Sequence, residues 1–525
     1  MTITGQNIIG FSRSSKGSTS FTSFNPVTNK ALNERFFTAT QDEINEAMNK
    51  ASVAFKAFKK IPTSVRANFL REIAIQINAC SETLTAQAIL ETGLPEVRIK
   101  GETGRTCGQL KLFADLIEEG SWVDARIENA NPDRTPLPKP DLRSMLTPLG
   151  PVVVFGASNF PLAFSTAGAD TASALAAGCP VVVKAHPSHP GTSEIVGQAI
   201  LKAAQKNNLP DGIFSLLFDD GTDVAVELAK HKHTSAIGFT GSHSGGRALM
   251  DIAAARKKPI PVYAEMGSVN PVIMLPSAMD NKTEALANGL ATSMTMGVGQ
   301  FCTSPGLVFT VKSKSTDQFY KMLTDLLKEI PAATMLSHKI CESYSNKLAD
   351  TTTNESVTTL LNFTNKGGND IAPSLLKTTG ALFKENSELD GEIFGPVSLL
   401  IECESVEEIE QIVKSLDGQL TATIHGTEED LSTYSELTDH LSQLAGRVIF
   451  NTFPTGVDVS HAMVHGGPYP ASSDGRSTSV GTQAIFRFTR LVSYQGFPNN
   501  ALPEELKNGN PLGIFRTVDS QRVQS

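Results

Sequence analysis

Apolar positions recur at helical spacing through the first quarter of the chain. Over residues 42–60 they fall at Ile44, Met48, Ala51, Phe55 and Phe58, which predicts an amphipathic helix. Residues 64–94 carry the same pattern at Phe69, Leu70, Ile73, Ile77 and Leu84, and end at Gly93 ahead of Pro95, a helix stop. A third helix is expected over 102–117. Residues 129–140, NANPDRTPLPKP, hold too much proline for a helix and read as a linker or extended arm.

The pattern then changes to short β-rich runs separated by helices. Strands are expected at 151–155, 180–184, 212–217 and 236–240. Helices are expected at 165–177, 192–207 and 223–230. Alternation of this kind is the mark of βαβ units with right-handed crossovers and a parallel sheet. Residues 268–444 repeat it less clearly. From His461 the chain is rich in Gly, Pro and Ser, and it turns polar from Pro503. The fold class is α/β with two main domains.

Composition narrows the function. At 525 residues the chain is long enough for several domains, and its net charge of −9 comes without a dense basic run. Nucleic acid and anionic membrane are therefore not expected partners. No apolar stretch reaches the ~20 residues of a membrane helix, and the N-terminus has no secretory pattern. The six cysteines are far apart with no CxxC pair, as expected of reduced thiols in the cytoplasm.

Four segments carry candidate chemistry. Gly241-Ser242-His243-Ser244-Gly245-Gly246 lies between a strand and a helix, where glycines and free N–H groups suit a phosphate, although it is not GxGxxG. Taken alone, the packing of a strand-to-helix turn explains it as well. Cys302, in Gly299-Gln-Phe-Cys-Thr-Ser-Pro-Gly306, is a potential nucleophile or a small buried hydrophobe. Glu265 ends an apolar strand before Gly267 and is either solvated or a half-buried base. Asn159 follows the strand at 151–155, where its amide can stabilise an oxyanion or cap a helix.

Together and in this order, these segments resemble the aldehyde dehydrogenase superfamily. Glu265 and Cys302 stand 37 positions apart, close to that family's base-to-nucleophile separation, and Lys184 and Glu392-Ile-Phe394-Gly-Pro complete its motifs. The resemblance runs from Asn25 to Gly481. It implies that Cys302 attacks the aldehyde to form a thiohemiacetal, with Asn159 and the Cys302 N–H on the oxyanion. After hydride transfer, Glu265 activates the water that hydrolyses the thioester and can also help deprotonate the thiol. Lys184 is then expected at the adenosine ribose, Ser242 at the pyrophosphate, Glu392 at the nicotinamide ribose with Phe394 beside it, and Gly241 and Gly246 where backbone approaches the cofactor. No metal site is expected: His186 and His189 read as turn residues, and Gly-Gly-Pro after His465 breaks any helical pairing with His461.

Two departures refine the resemblance. NAD-preferring relatives often carry a Glu three positions after the strand-end Lys, where this chain has Pro187. That loss removes repulsion of a 2′-phosphate, so NADP is the expected cofactor with NAD also accepted; Thr222 and Asp223 offer no second phosphate partner. FGASNFPLAFS, KAHPSHPGTSE, GVGQFCTSPG and HAMVHGGPYPASSD resemble the 2,5-dioxopentanoate (α-ketoglutarate semialdehyde) dehydrogenases and the NADP-dependent fatty-aldehyde dehydrogenases. A keto acid needs a cation, for which Arg105 is the candidate, with a surface ion pair as the plain alternative. A long-chain aldehyde needs an apolar tunnel, for which Phe160, Phe164, Phe301 and Phe453 are available.

The implied architecture is two Rossmann-like parallel-sheet domains with a small β oligomerisation arm. Residues 1–123 and 148–266 are assigned to cofactor binding, 267–466 to catalysis, 124–147 and 467–493 to the arm, and 494–525 to a tail. A small-molecule aldehyde and a second copy of the chain, in a homodimer or homotetramer, are the expected partners. A nicotinamide-independent thiol hydrolase is the rival of another class, and a non-catalytic dinucleotide-binding scaffold is a third.

Overall fold

The computed structural model describes residues 1–362 and 367–524. Two seven-stranded sheets and a five-stranded sheet organise them. In the first sheet, Val262–Glu265, Ala236–Thr240, Val152–Phe155, Val181–Lys184 and Phe214–Leu217 lie side by side and parallel. Three of these strands are buried at every residue, as expected of a parallel sheet covered on both faces. From Val152–Phe155 the chain adds strands outward first on one side and then on the other. The order therefore reverses beside that strand, and such a reversal opens a ligand crevice beyond the strands' carboxyl ends. Phe155, Lys184, Thr240 and Glu265 all finish at that edge.

The second sheet runs Thr358–Leu361, Ser374–Thr379, Val397–Cys403, Leu307–Val311, Val272–Met274, Gln419–His425 and Ala445–Phe450. All its neighbours are parallel except the first pair. Only residues 266–271 separate its inner strand Val272–Met274 from Glu265, so the two sheets meet at the carboxylate.

Helices Gln41–Phe58, Pro190–Lys206 and Asp223–Lys230 match the expected ones closely. Thr40 and Glu43 close a capping box on the first. The expected helix over 64–94 is instead two, Thr63–Ala79 and Ser81–Thr92, because Cys80 leaves helical geometry at φ −113, ψ 16. Apolar spacing alone does not register this break, since the buried stripe continues across it. Gly93 ends the second helix at φ 67, a left-handed position that suits glycine. The helix expected over 102–117 is the middle of Glu96–Glu119, and the one over 165–177 is confined to Ala169–Ala177.

Residues 129–140 form no helix and are tied by backbone pairing of Asn131 with Lys139. Nearby, Arg126–Glu128 and Leu142–Pro148 join Thr489–Gln495 in the third sheet. The segment set apart as a tail adds two more strands there, Arg516–Val518 and Gln521–Val523. Asn7–Ile9 and Ser12–Ser14, strands of three residues too short to leave a pattern, extend the first sheet antiparallel beside Phe214–Leu217.

Candidate active site

Cys302 lies in the connection from helix Pro276–Thr295 to strand Leu307–Val311. The approach is tightly bent, with Gly297, Val298 and Gly299 all left-handed at φ 57, 58 and 65. For a β-branched valine this is a costly conformation, which the surroundings enforce. A side chain on Gly299 would meet the Gly395 backbone at 2.2 Å, so the loop is pressed against the Glu392–Pro396 segment. Asn270 Nδ2 donates to the carbonyls of Cys302 at 2.8 Å and Ser304 at 2.9 Å, pinning the loop from the other side.

The thiol has two titratable neighbours. His465 Nε2 lies 3.4 Å from Cys302 Sγ and 2.9 Å from Glu265 Oε1. Ser479 Oγ donates to the other Glu265 oxygen and to the His465 carbonyl. Burial pushes the Glu265 carboxyl up, but His465, Ser479 and the thiol together outweigh it and hold the group below its ordinary value. Burial, reinforced by Glu265, pushes the Cys302 thiol well up. The resting residue is therefore a thiol beside a carboxylate, and it needs a proton acceptor before it can attack.

Sequence reasoning set His465 aside because Gly466 and Gly467 break helical geometry. In the fold those glycines serve a different purpose: 465–480 returns through successive turns as a strap that pairs with the end of Val262–Glu265 at Ala471–Ser473. Met266 N–H donates to the Ala471 carbonyl and Ser473 N–H to the Ala264 carbonyl. His461 stays exposed while His465 is buried. The donor atoms of Glu265, Cys302 and His465 lie within 4.8 Å of one another.

Asn159 Nδ2 donates to the Gln300 carbonyl at 3.0 Å, which docks the amide on the nucleophile's own loop. Phe160, Phe164 and Phe301 form an aromatic cage there, with Phe160 5.2 Å from each of the other two ring centres. Phe453 is not part of it. Its ring packs on Gly289 and on His425, 4.6 Å away, on the other side of the nucleophile's segment. Val457, Val459 and Met463 pack against the cage.

Arg105 is not a surface ion pair. Its guanidinium sits 5.7 Å from the Phe160 ring centre and 5.2 Å from Phe164, whose other side faces His465 at 5.9 Å. Its Nε and Nη2 have no hydrogen-bond partner. Burial lowers its pKa, while Glu102, Cys302 and Glu265 pull it back up.

The residues at the first sheet's edge fit a dinucleotide. Ser242 caps helix His243–Ala254 by accepting from Gly245 N–H, and that helix start is exposed to the crevice. Gly241 and Gly245 also leave room for the Phe239 ring, and Gly246 for Met266, so packing alone accounts for their missing side chains. Lys184 Nζ donates to the Asp219 carbonyl at 2.7 Å. The Asp219 carboxylate accepts from Gly221 and Val224 N–H, and Pro187 brings no anion to the strand end. Glu392 stands against Gly267, where a Cβ would meet its Oε2 at 2.3 Å. Burial raises its pKa to about 7, a carboxyl suited to hydrogen-bond a neutral hydroxyl. Phe394 lies beside it on the wall shared with Phe301.

This geometry, a buried thiol with a carboxylate beside it and a dinucleotide crevice alongside, agrees with the comparisons. The aldehyde dehydrogenase family profile matches residues 12–493. The chain belongs to the aldehyde dehydrogenase family. It is 44% identical to alpha-ketoglutaric semialdehyde dehydrogenase 2 of Azospirillum brasilense, over 99% of this chain and 100% of the relative. It is also 44% identical to the alpha-ketoglutaric semialdehyde dehydrogenase of Acinetobacter baylyi, over 99% of each chain. Its fold is that of the NADP-dependent glyceraldehyde-3-phosphate dehydrogenase of Bacillus halodurans solved with NADP, at TM-score 0.80 and 21% identity, covering 94% of this chain and 100% of the other. The enzyme thus oxidises an aldehyde to a carboxylic acid with a nicotinamide dinucleotide.

The Glu265–His465 contact gives a pH test. Because the carboxyl is held below its ordinary value, activity that needs the carboxylate is present above that lowered pKa and lost as pH falls through it. In His465→Phe, burial acts with less opposition and the carboxyl pKa rises. The acid limb of the kcat/KM profile is expected to move to higher pH by about one unit or more. An unmoved limb would show that His465 does not set the state of Glu265.

Proposed function

We propose that the aldehyde is 2,5-dioxopentanoate, oxidised to 2-oxoglutarate, with NADP preferred and NAD accepted. The observation that carries this reading is the unpaired Arg105 guanidinium, which packs beside Phe164, a ring that also neighbours His465. A half-buried cation with free donors calls for an anion on the substrate, and a long-chain aldehyde has none. The names of the two relatives at 44% identity support the same substrate.

In this mechanism Glu265 takes the Cys302 proton, with His465 and Ser479 stabilising the carboxylate until it does so. The thiolate attacks the aldehyde carbon, and Asn159 Nδ2 and the Cys302 N–H hold the developing oxyanion. Lys184, Ser242 and Glu392 would hold the dinucleotide. The chemistry that group supplies when bound is acceptance of a hydride, which leaves the acyl group on Cys302 as a thioester. Once Glu265 has released the thiol's proton to solvent, it serves a second time, as base for the hydrolytic water. NADP preference is supported by Pro187 and by the engagement of the Asp219 carboxylate with backbone N–H groups, which limits repulsion of a 2′-phosphate. A thiol hydrolase without a nicotinamide would leave the Ser242 helix start and Glu392 without a task.

A homodimer or homotetramer is proposed through the third sheet. Its outer strand Thr489–Gln495 has one unpaired edge, and Leu491 on it is 64% exposed. The cytoplasm is the proposed location, in keeping with cysteines that form no disulfide among the described residues.

Initial rates with 2,5-dioxopentanoate and a long-chain aldehyde, each with NADP and NAD, test the substrate. Highest kcat/KM is expected for the keto acid with NADP, and preference for the long-chain aldehyde would overturn the reading. Cys302→Ala is expected to abolish turnover while a dinucleotide still raises Tm. Glu265→Gln is expected to slow the burst of reduced cofactor itself, since the thiol proton has lost its acceptor; an undiminished burst with slow turnover would confine Glu265 to hydrolysis. Leu491→Glu is expected to lower the mass measured by light scattering, and an unchanged mass would place the contact elsewhere.

A further inference from the structure

We propose that Gln109, with Arg105, forms a two-donor subsite for an α-oxo-carboxylate: the guanidinium takes the carboxylate, and the Gln109 amide donates to the adjacent 2-oxo oxygen. This rests on the reading of the substrate as a short oxo acid. Residues 105 and 109 stand one turn apart on helix Glu96–Glu119 and share a face. Both line a cavity of about 400 Å³, closed on the other side by Val457, Asp458 and Val459. Gln109 is only 2% exposed, yet among the described residues its Nε2 has no hydrogen-bond partner, and neither do Arg105 Nε and Nη2. Buried donors are ordinarily satisfied, so three unpaired donor atoms on two residues of one cavity mark a place kept for an acceptor.

Neighbouring polar groups are committed in part, although Arg98 Nε, Glu102 Oε2 and Arg447 Nε also have no hydrogen-bond partner among the described residues. Arg98 pairs with Glu102 at 3.3 Å and stacks on Phe160 and Phe301. Glu102 is held by Leu162 and Ala163 N–H groups. Arg447 donates to the carbonyls of Gly456 and Pro454. The amide of Gln300 is used at both ends, on Gly297 and Leu336. Asp458, the carboxylate on the lining, is exposed, and its Oδ1 accepts from Val459 N–H. Between the two donor residues lies Gly108, where a Cβ would meet nothing within 4 Å.

The chemistry separates the two roles. An uncharged aldehyde needs neither residue, 5-oxopentanoate needs only the guanidinium, and 2,5-dioxopentanoate uses both. A site built to hydrogen-bond an oxygen discriminates against an analogue that lacks it.

The test is steady-state kinetics of the full-length enzyme and two variants on 2,5-dioxopentanoate, 5-oxopentanoate and pentanal, with the dinucleotide-induced rise in Tm confirming a folded protein. In Gln109→Leu the ratio of kcat/KM for 2,5-dioxopentanoate over 5-oxopentanoate is expected to fall about tenfold. In Arg105→Met the ratio of 5-oxopentanoate over pentanal is expected to fall by about a hundredfold. An unchanged first ratio in Gln109→Leu, with the wild-type enzyme still preferring the keto acid, would overturn the subsite and leave the substrate reading intact. A wild-type enzyme that prefers pentanal would overturn the substrate reading itself.

Discussion

The buried contact between Glu265 and His465 is the joint on which the site depends. It connects the edge strand of the first sheet to the strap 465–480, and the strap's backbone pairing along Val262–Glu265 keeps both partners in place. Cys302 reaches this joint from the second sheet, whose inner strand Val272–Met274 follows Glu265 by a few residues. Ser479 from the same strap completes the carboxylate's partners. Chemistry is thereby confined to the place where two independently built sheets touch, an arrangement that holds the nucleophile and its proton acceptor to within hydrogen-bond reach.

Burial is the second constraint. It raises the thiol and would neutralise the carboxyl if His465 and Ser479 did not outweigh it. The same low-polarity surroundings, supplied by the phenylalanine cage, make any unpaired charge expensive. Arg105 beside that cage is therefore informative in a way that an exposed arginine is not, and the cation gives the pocket a polarity that an alkyl chain would not require.

Much of this was legible in the sequence. Apolar spacing located most helices and the parallel strands, since a buried parallel strand leaves a continuous apolar run such as Val181–Lys184. Motif order brought Cys302, Glu265 and Asn159 together, and the fold places all three around one loop. What escaped was set by contacts far apart in the chain. His465 is 163 positions from the thiol it touches, and its Gly-Gly neighbours broke the only local pattern that could be read. Its signal was a histidine followed by two glycines in a Gly- and Ser-rich segment, meaningful only as a strap. Phe453 could not be separated from the cage phenylalanines by type, and only its packing on His425 and Gly289 does so. Asn270, which no local pattern singles out, holds the nucleophile loop through a left-handed turn at φ 46.

The central claim is that oxidation passes through an acyl group carried on Cys302. Acid quench of the enzyme during turnover of 2,5-dioxopentanoate with NADP, followed by peptide mass spectrometry, tests it most directly. The account predicts one acyl adduct on the peptide containing Cys302, absent when the dinucleotide is omitted and absent in Cys302→Ala. Product formation with Cys302 unmodified at every time point, or an adduct on another of the six cysteines, would contradict it.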